Sequence, residues 1–213
     1  MRALVALSIA LSLSVDAAWA QEKRVSAQES RLLLLAPYLE DLKPNYQHFG
    51  WNAQASSETS YAGVARNNDT PSRAQVYLYQ TAPRYYWKNG TTLDEAWIRS
   101  AFPFFKSRPV KITQPAPSPG RYARTAMFEV EGARCVAFEL RYVSNDVGSP
   151  TFEERQSATG IYCPPGGTVL DDALIQRVFE GIFLRRDGRI ERLLQGVNKP
   201  IPPELLRGEQ RQG

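Results

Sequence analysis

The thiols and imidazoles that this 213-residue sequence offers as nucleophile, base or metal ligand are few: two cysteines, Cys135 and Cys163, and a single histidine, His48. Two thiols and one distant imidazole fall short of the four N or S ligands of a structural zinc site. A cysteine nucleophile would have only His48 as an imidazole base. His48 lies in Asn45-Tyr-Gln-His-Phe-Gly-Trp51, an aromatic stretch that suits a packed or solvent-facing ring. The signatures G-x-S-x-G, S-x-x-K, H-E-x-x-H, the P-loop and G-x-G-x-x-G do not occur. Glycoside hydrolysis would need only two carboxylates about 5 to 9 Å apart in a cleft. Glu58, Asp69, Glu153 and Glu154 qualify as loop acids, although nothing in the sequence pairs them. Asp171 and Asp172 form an adjacent acidic pair ahead of an apolar helical pattern, where capping and the helix dipole account for them.

Binding chemistry is better represented. From Tyr77 to Phe105 and the adjoining Lys106 the chain crowds Tyr77, Tyr79, Arg84, Tyr85, Tyr86, Trp87, Lys88, Trp97, Arg99, Phe102, Phe104, Phe105 and Lys106. Tyr, Trp and Arg serve as anchors because they combine large rigid area with a polar tip. Tyr79, Trp97 and Phe102 suit a core. The segment Arg84, Tyr85, Tyr86, Trp87, Lys88, bounded by Pro83 and Asn89-Gly90, is expected as an exposed contact loop.

Met1-Arg2, an apolar run from Ala3 to Val15 and Asp16-Ala-Ala-Trp-Ala20 have the order of a signal peptide, with cleavage expected before Gln21. The run is shorter than the ~20 residues that span a bilayer. After cleavage no transmembrane segment is expected, and the compartment is periplasmic or extracellular. In that setting Cys135 and Cys163 are expected to form a disulfide. Without the signal, 25 basic and 21 acidic residues remain, spread along the chain rather than clustered. That density does not suit nucleic-acid binding. No cofactor or metal is implied, and oligomeric state is not readable.

The elements follow from pattern. Tyr122–Val130 and Ala133–Val143 alternate like strands around Glu131-Gly132, a two-residue hairpin loop. This register sets Phe128 opposite Cys135, Ala126 opposite Ala137 and Arg124 opposite Glu139, an opposite-charge pair. A third strand, Gln156–Cys163, with Cys135 facing Cys163, would set Ala137 against Ile161, Val136 against Tyr162 and Leu140 against Ala158. A slip of one residue would put the thiols on opposite faces. Strands are also expected at Tyr61–Arg66, Ala74–Thr81 and Arg108–Thr113. Helices are expected at Ala27–Ala36, from a T-x-x-E capping box at Thr92–Glu95 to Ala101 with Leu93, Ala96, Trp97 and Phe102 inward, after Asp171, and at Arg189–Val197.

Arg134-Cys-Val-Ala-Phe138 and Gly160-Ile-Tyr-Cys-Pro-Pro-Gly166, followed by Leu170-Asp-Asp, resemble the C-terminal region of small exported bacterial proteins without an assigned activity, of R-C-x-x-F … Y-C-x-P-G type. That resemblance spans about fifty residues and implies a disulfide-linked sheet and a following helix, with no catalytic residue. The expected architecture is α+β: an antiparallel sheet with one cross-strand disulfide, flanked by short helices. It comprises a signal at 1–20, one domain at 21–198 in two halves joined near 115–120, and an extended or disordered tail at 199–213. The expected role is non-catalytic, an accessory or binding protein of the cell envelope that contacts a protein or polysaccharide. The alternatives are a carboxylate-dependent glycan hydrolase and a constitutive subunit of an envelope complex.

Overall fold

A computed structural model describes residues 22–52, 57–81, 92–115, 123–142, 156–186, 188–194 and 199–206. The strands are β1 (Glu22–Val25), β2 (Leu32–Leu34), β3 (Asn45–Asn52), β4 (Ser57–Ala65), β5 (Arg73–Thr81), β6 (Val110–Gln114), β7 (Ala123–Val130), β8 (Ala133–Tyr142), β9 (Gln156–Cys163), β10 (Ile182–Arg186) and β11 (Arg189–Arg192). Helical structure is brief: α1 (Glu95–Ala101), a 3-10 turn (Pro103–Phe105), α2 (Asp172–Glu180) and α3 (Pro203–Leu206).

With 50% strand against 15% helix, the fold is mainly β, which corrects the expected α+β class. Two expected helices are strands. In Ala27–Ala36, Ser26 and Glu29 do exchange capping-box bonds, the Ser26 amide donating to Glu29 at 2.9 Å, but only a single turn follows. Leu32, Leu33 and Leu34 are then buried on both sides as β2, paired with β10. Three consecutive apolar residues match a fully buried strand as well as a helix, and Pro37 removes the length a helix would need. The expected helix at Arg189–Val197 begins instead as β11, which pairs antiparallel with β10. The stretch from Lys199 to Leu206 lies against the body: Lys199 pairs with Glu180 at 2.6 Å, and Arg192 donates to the Pro200 carbonyl at 2.9 Å.

The larger sheet is antiparallel in the order β1-β3-β4-β5-β9-β8-β7-β6, and a second sheet runs β11-β10-β2. The β7–β8 and β8–β9 registers are those expected, including Arg124 opposite Glu139 and Val136 opposite Tyr162. Glu131 and Gly132 both have positive φ, 50° and 78°, the geometry whose twist matches the flanking strands. Cys135 and Cys163 are bridged. β9 lies between β5 and β8, so the sheet is continuous across both halves of the chain.

One face of the sheet, with Val64, Val76, Leu78, Val136, Phe138 and Ala158, packs on the second sheet and on α2 through Leu33, Phe183, Leu174 and Val178. α2 starts as expected, with Asp171 Oδ1 accepting from the Leu174 amide at 2.7 Å. Phe138 lies across β9 at Gly160, where an added Cβ would come within 2.5 Å of its Cζ and 2.6 Å of the Gln75 carbonyl. The opposite face carries the disulfide, Ala126, Phe128, Ala137 and Ile161, covered by Ile98, Phe102 and Phe105. Here the capping expectation is corrected. Asp94, not Thr92, caps α1, accepting from the Trp97 amide at 2.8 Å, while Glu95 reaches β6 to accept from the Ile112 amide. Ile98 is the inward residue of α1, and Ala96 faces solvent.

Replacing both cysteines by Ala should lower the unfolding free energy by about 3 to 4 kcal/mol, the chain-entropy cost of a 28-residue separation, read as a lower urea midpoint. Gly160→Ala should cost about 1 to 3 kcal/mol by the same measurement, because both close neighbours lie in the packed interior. An unchanged midpoint for Gly160→Ala would contradict the Phe138–Gly160 packing.

Candidate cleft on the open half of the sheet

Strand alternation sets up a row across the face that bears the disulfide: Gln47, Tyr61, Tyr77, Thr159, Glu139 and Arg124 are successive cross-strand neighbours. A neighbouring row runs Asn45, Gly63, Gln75, Ile161, Ala137, Ala126. At the β6–β9 end these rows are covered by α1 and the 3-10 turn. The cover ends at Tyr77, whose hydroxyl donates to the Ala101 carbonyl at 3.2 Å. Beyond it the β3–β5 part of the face forms the floor of a cleft of about 490 Å³.

Its floor is Asn45, Gln47, Tyr61, Gln75 and Tyr77, and its wall is Pro103, Phe104, Ser107 and Arg108, with Asn68 and Arg73 at the β4–β5 turn. Tyr61 lies flat over Gly63, where any Cβ would collide with its ring, and its Oη accepts from Gln75 Nε2 at 2.8 Å. Gln75 Oε1 is buried with no partner among the described residues. Tyr61, Tyr77 and Phe102 pack in sequence as tilted pairs, with centroids 5.0 and 5.7 Å apart, so the aromatic floor is continuous with the core.

The guanidinium carbons of Arg73 and Arg108 lie 3.1 and 3.9 Å from the centroid of the Phe104 ring. Arg108 is also held by Glu131 of the β7–β8 turn at 2.5 Å. Arg73 is 4% exposed and donates to the Thr70 and Pro71 carbonyls at 2.6 and 3.3 Å. Burial raises the pKa of the Tyr61 and Tyr77 phenols. For Tyr61 the bond from Gln75 and the charge of Arg73 oppose that rise, whereas for Tyr77 the neighbouring tyrosines and Glu22 add to it.

A second cavity of about 270 Å³, between the two sheets, is lined by Arg31, Arg185 and Arg186 with Gln80 and Gln156 over Leu78 and Leu184. Arg31 is paired there with Glu58 at 2.5 Å.

The sequence-predicted residues are divided among these places. Arg84, Tyr85, Tyr86, Trp87 and Lys88 lie outside the described residues, as do Glu153 and Glu154. Phe102 and Phe105 are core, and Tyr77 and Phe104 of the same crowded stretch line the cleft. Asp69 caps nothing and sits in the β4–β5 turn, its amide donating to Asn67 Oδ1. His48 is half-buried in β3, opposite Lys23 and Ser60. Trp51 is exposed near the end of β3. Among the described residues no cluster of His, Cys, Asp or Glu could hold a metal. Asn45, Gln47, Arg73, Gln75 and Arg108 were not legible as a site. The one available signal was the alternation Arg73, Gln75, Tyr77, Tyr79 opposite Val76 and Leu78, a polar and aromatic face on an otherwise buried strand.

Comparisons with protein-family models, curated proteins and solved structures return no match.

The cleft phenols should titrate late. In 295 nm absorbance titrations, Tyr77→Phe should remove a phenol that ionises above pH 10 rather than one at the ordinary value. Because the unfolded chain releases those protons first, the stability the two phenols contribute is complete below pH 10 and declines as pH rises beyond it. Loss of a phenol titrating at the ordinary value would show that Tyr77 is solvated.

Proposed function

We propose that the protein is an exported, non-catalytic binding component of the cell envelope and that a glycan occupies the cleft. The disulfide is compatible with export, and no described helix is long and apolar enough to cross a membrane. The supporting observation is the composition of the cleft: aromatic rings on floor and wall, four carboxamides, a hydroxyl and two guanidinium groups around about 490 Å³. Sugar rings present apolar C–H faces that stack on aromatic rings. Their hydroxyls need groups that both donate and accept, which carboxamides do. An open concavity with a few convergent polar groups suits ligand capture.

Recognition is favoured over hydrolysis by the placement of the acids. The cleft is lined by amides where a glycosidase would need two carboxylates. Among the described residues near it, Glu22 accepts from Gln47 Nε2 at 2.7 Å, Glu131 is paired with Arg108, and Glu58 is paired with Arg31 outside it. The segment Arg84–Lys88 follows β5 directly in the chain and stays in this reading as a second contact for glycan or protein.

Retention of the mature protein on immobilised bacterial envelope polysaccharides tests this reading. Asn45→Ala with Gln47→Ala should weaken retention by roughly 10- to 30-fold, from two lost hydrogen bonds of about 1 kcal/mol each, with the fold intact by circular dichroism. Retention by no polysaccharide, together with in-cell capture of one protein that is lost when Arg84, Tyr86 and Trp87 are changed to Ala, would replace the glycan by a protein partner.

A further inference from the structure

We infer that the ligand of this cleft carries an anionic group, seated at the Arg73 end beside Phe104. The inference rests on the glycan reading and narrows it to acidic saccharides.

The side chain of Arg73 is almost wholly removed from water. A buried charge is costly unless an opposite charge answers it. The bonds Arg73 donates, through Nε and Nη2, all go to the neutral carbonyls of Pro71, Thr70 and Asn67. No described carboxylate forms an ion pair with it. The Phe104 face offers a quadrupole, which attracts a cation without neutralising it. Arg108 over the same ring adds repulsion, and its own charge is answered by Glu131. Two cations therefore meet one anion. Burial, and then the charge of Arg108, bring the Arg73 pKa down to about 10.

A second buried arginine among the described residues is answered by a carboxylate of the protein itself. Arg124, 7% exposed, is gripped by Glu139 at 2.5 and 2.9 Å. In the second cavity Arg31 already has Glu58. Arg73 differs in lining an open cleft, and its Nη1 takes part in none of the bonds to carbonyls. A carboxylate entering there would meet Arg73 and Arg108 together. Gln75 and Tyr77, two and four residues along the same face of β5, lie roughly 7 and 13 Å farther on, placed to hold the sugar body.

The test is an NMR titration of the full mature chain at fixed ionic strength with three probes: trigalacturonate, its fully methyl-esterified form, and sodium sulfate. Trigalacturonate should shift the signals of Arg73, Gln75, Tyr77 and Ser107, with the uncharged ester binding at least about tenfold more weakly, the loss expected when a hydrogen-bonded charge is removed. Arg73→Met should abolish the difference between acid and ester. Since Arg73 also holds the β4–β5 turn, a second variant is needed: Ser107→Asp, at an exposed wall position, supplies a carboxylate from the protein and should weaken trigalacturonate by a similar factor. Equal binding of acid and ester would overturn the anionic inference and leave the glycan reading standing. Sulfate binding at Arg73 with neither saccharide binding more tightly would retain an anion site but overturn the acidic saccharide along with the glycan reading. No shift of the cleft signals by any probe, in protein that is folded, would overturn both.

Discussion

The insertion of β9 between β5 and β8 is the constraint on which the rest of the molecule depends. β5 ends at Thr81 and β9 begins at Gln156, so this pairing joins two stretches of chain far apart in sequence into one eight-stranded sheet. Backbone hydrogen bonding alone would tolerate a shift of register. Side chains do not, because a one-residue slip would carry Tyr162 and Ala158 out of one core and Ile161 and Cys163 out of the other. The Cys135–Cys163 bridge fixes the same register covalently on the β8 side. Gly160 admits the Phe138 ring across the strand, where any Cβ would collide with it.

From that seam the two faces diverge in character. One is dry along its length because a second sheet and α2 cover it. The other is dry only as far as α1 and the 3-10 turn reach, and polar residues appear where the cover stops. On the covered side a buried Arg124 requires Glu139, with Arg141 close to the same carboxylate at 3.5 Å. On the open side Arg73 is met by a ring, by carbonyls and by a like charge. The contrast is one of access: a charge that borders a cleft can be answered from outside, whereas Arg124 is answered by a carboxylate of its own sheet. Arg108 ties the cleft wall to the β7–β8 turn through Glu131.

Legibility in the sequence followed locality. The β7–β8 hairpin, its charge pair and the alternation of β9 were readable because turn chemistry and period-two patterning lie within about forty residues. The Asp171 cap of α2 was readable for the same reason. The helices expected at Ala27–Ala36 and Arg189–Val197 failed because short apolar runs do not distinguish helix from buried strand until a partner is known. For β2 and β11 that partner is β10. The Asp187-Gly188 dipeptide was a local cue to the second hairpin that apolar spacing outweighed. At Thr92–Glu95 the motif was present, but Glu95 is bound to the β6 amide of Ile112, so a tertiary bond displaced the local one.

The sequence by itself determined the alternation of each strand, the hairpin turn at Glu131-Gly132 and the compatibility of the two cysteines with one register, because these depend on side-chain period and backbone sterics over a few residues. Only the tertiary structure decided that the architecture is mainly β and that Asn45, Gln47, Tyr61, Gln75 and Tyr77 form one floor under Phe104 and Arg108. The cleft residues come from three strands, the β4–β5 turn and the stretch around the 3-10 turn, with Asn45 and Arg108 63 residues apart in the chain. No local pattern encodes their meeting. It arises from cross-strand pairing and from the length of α1, which sets where the cover of the sheet ends.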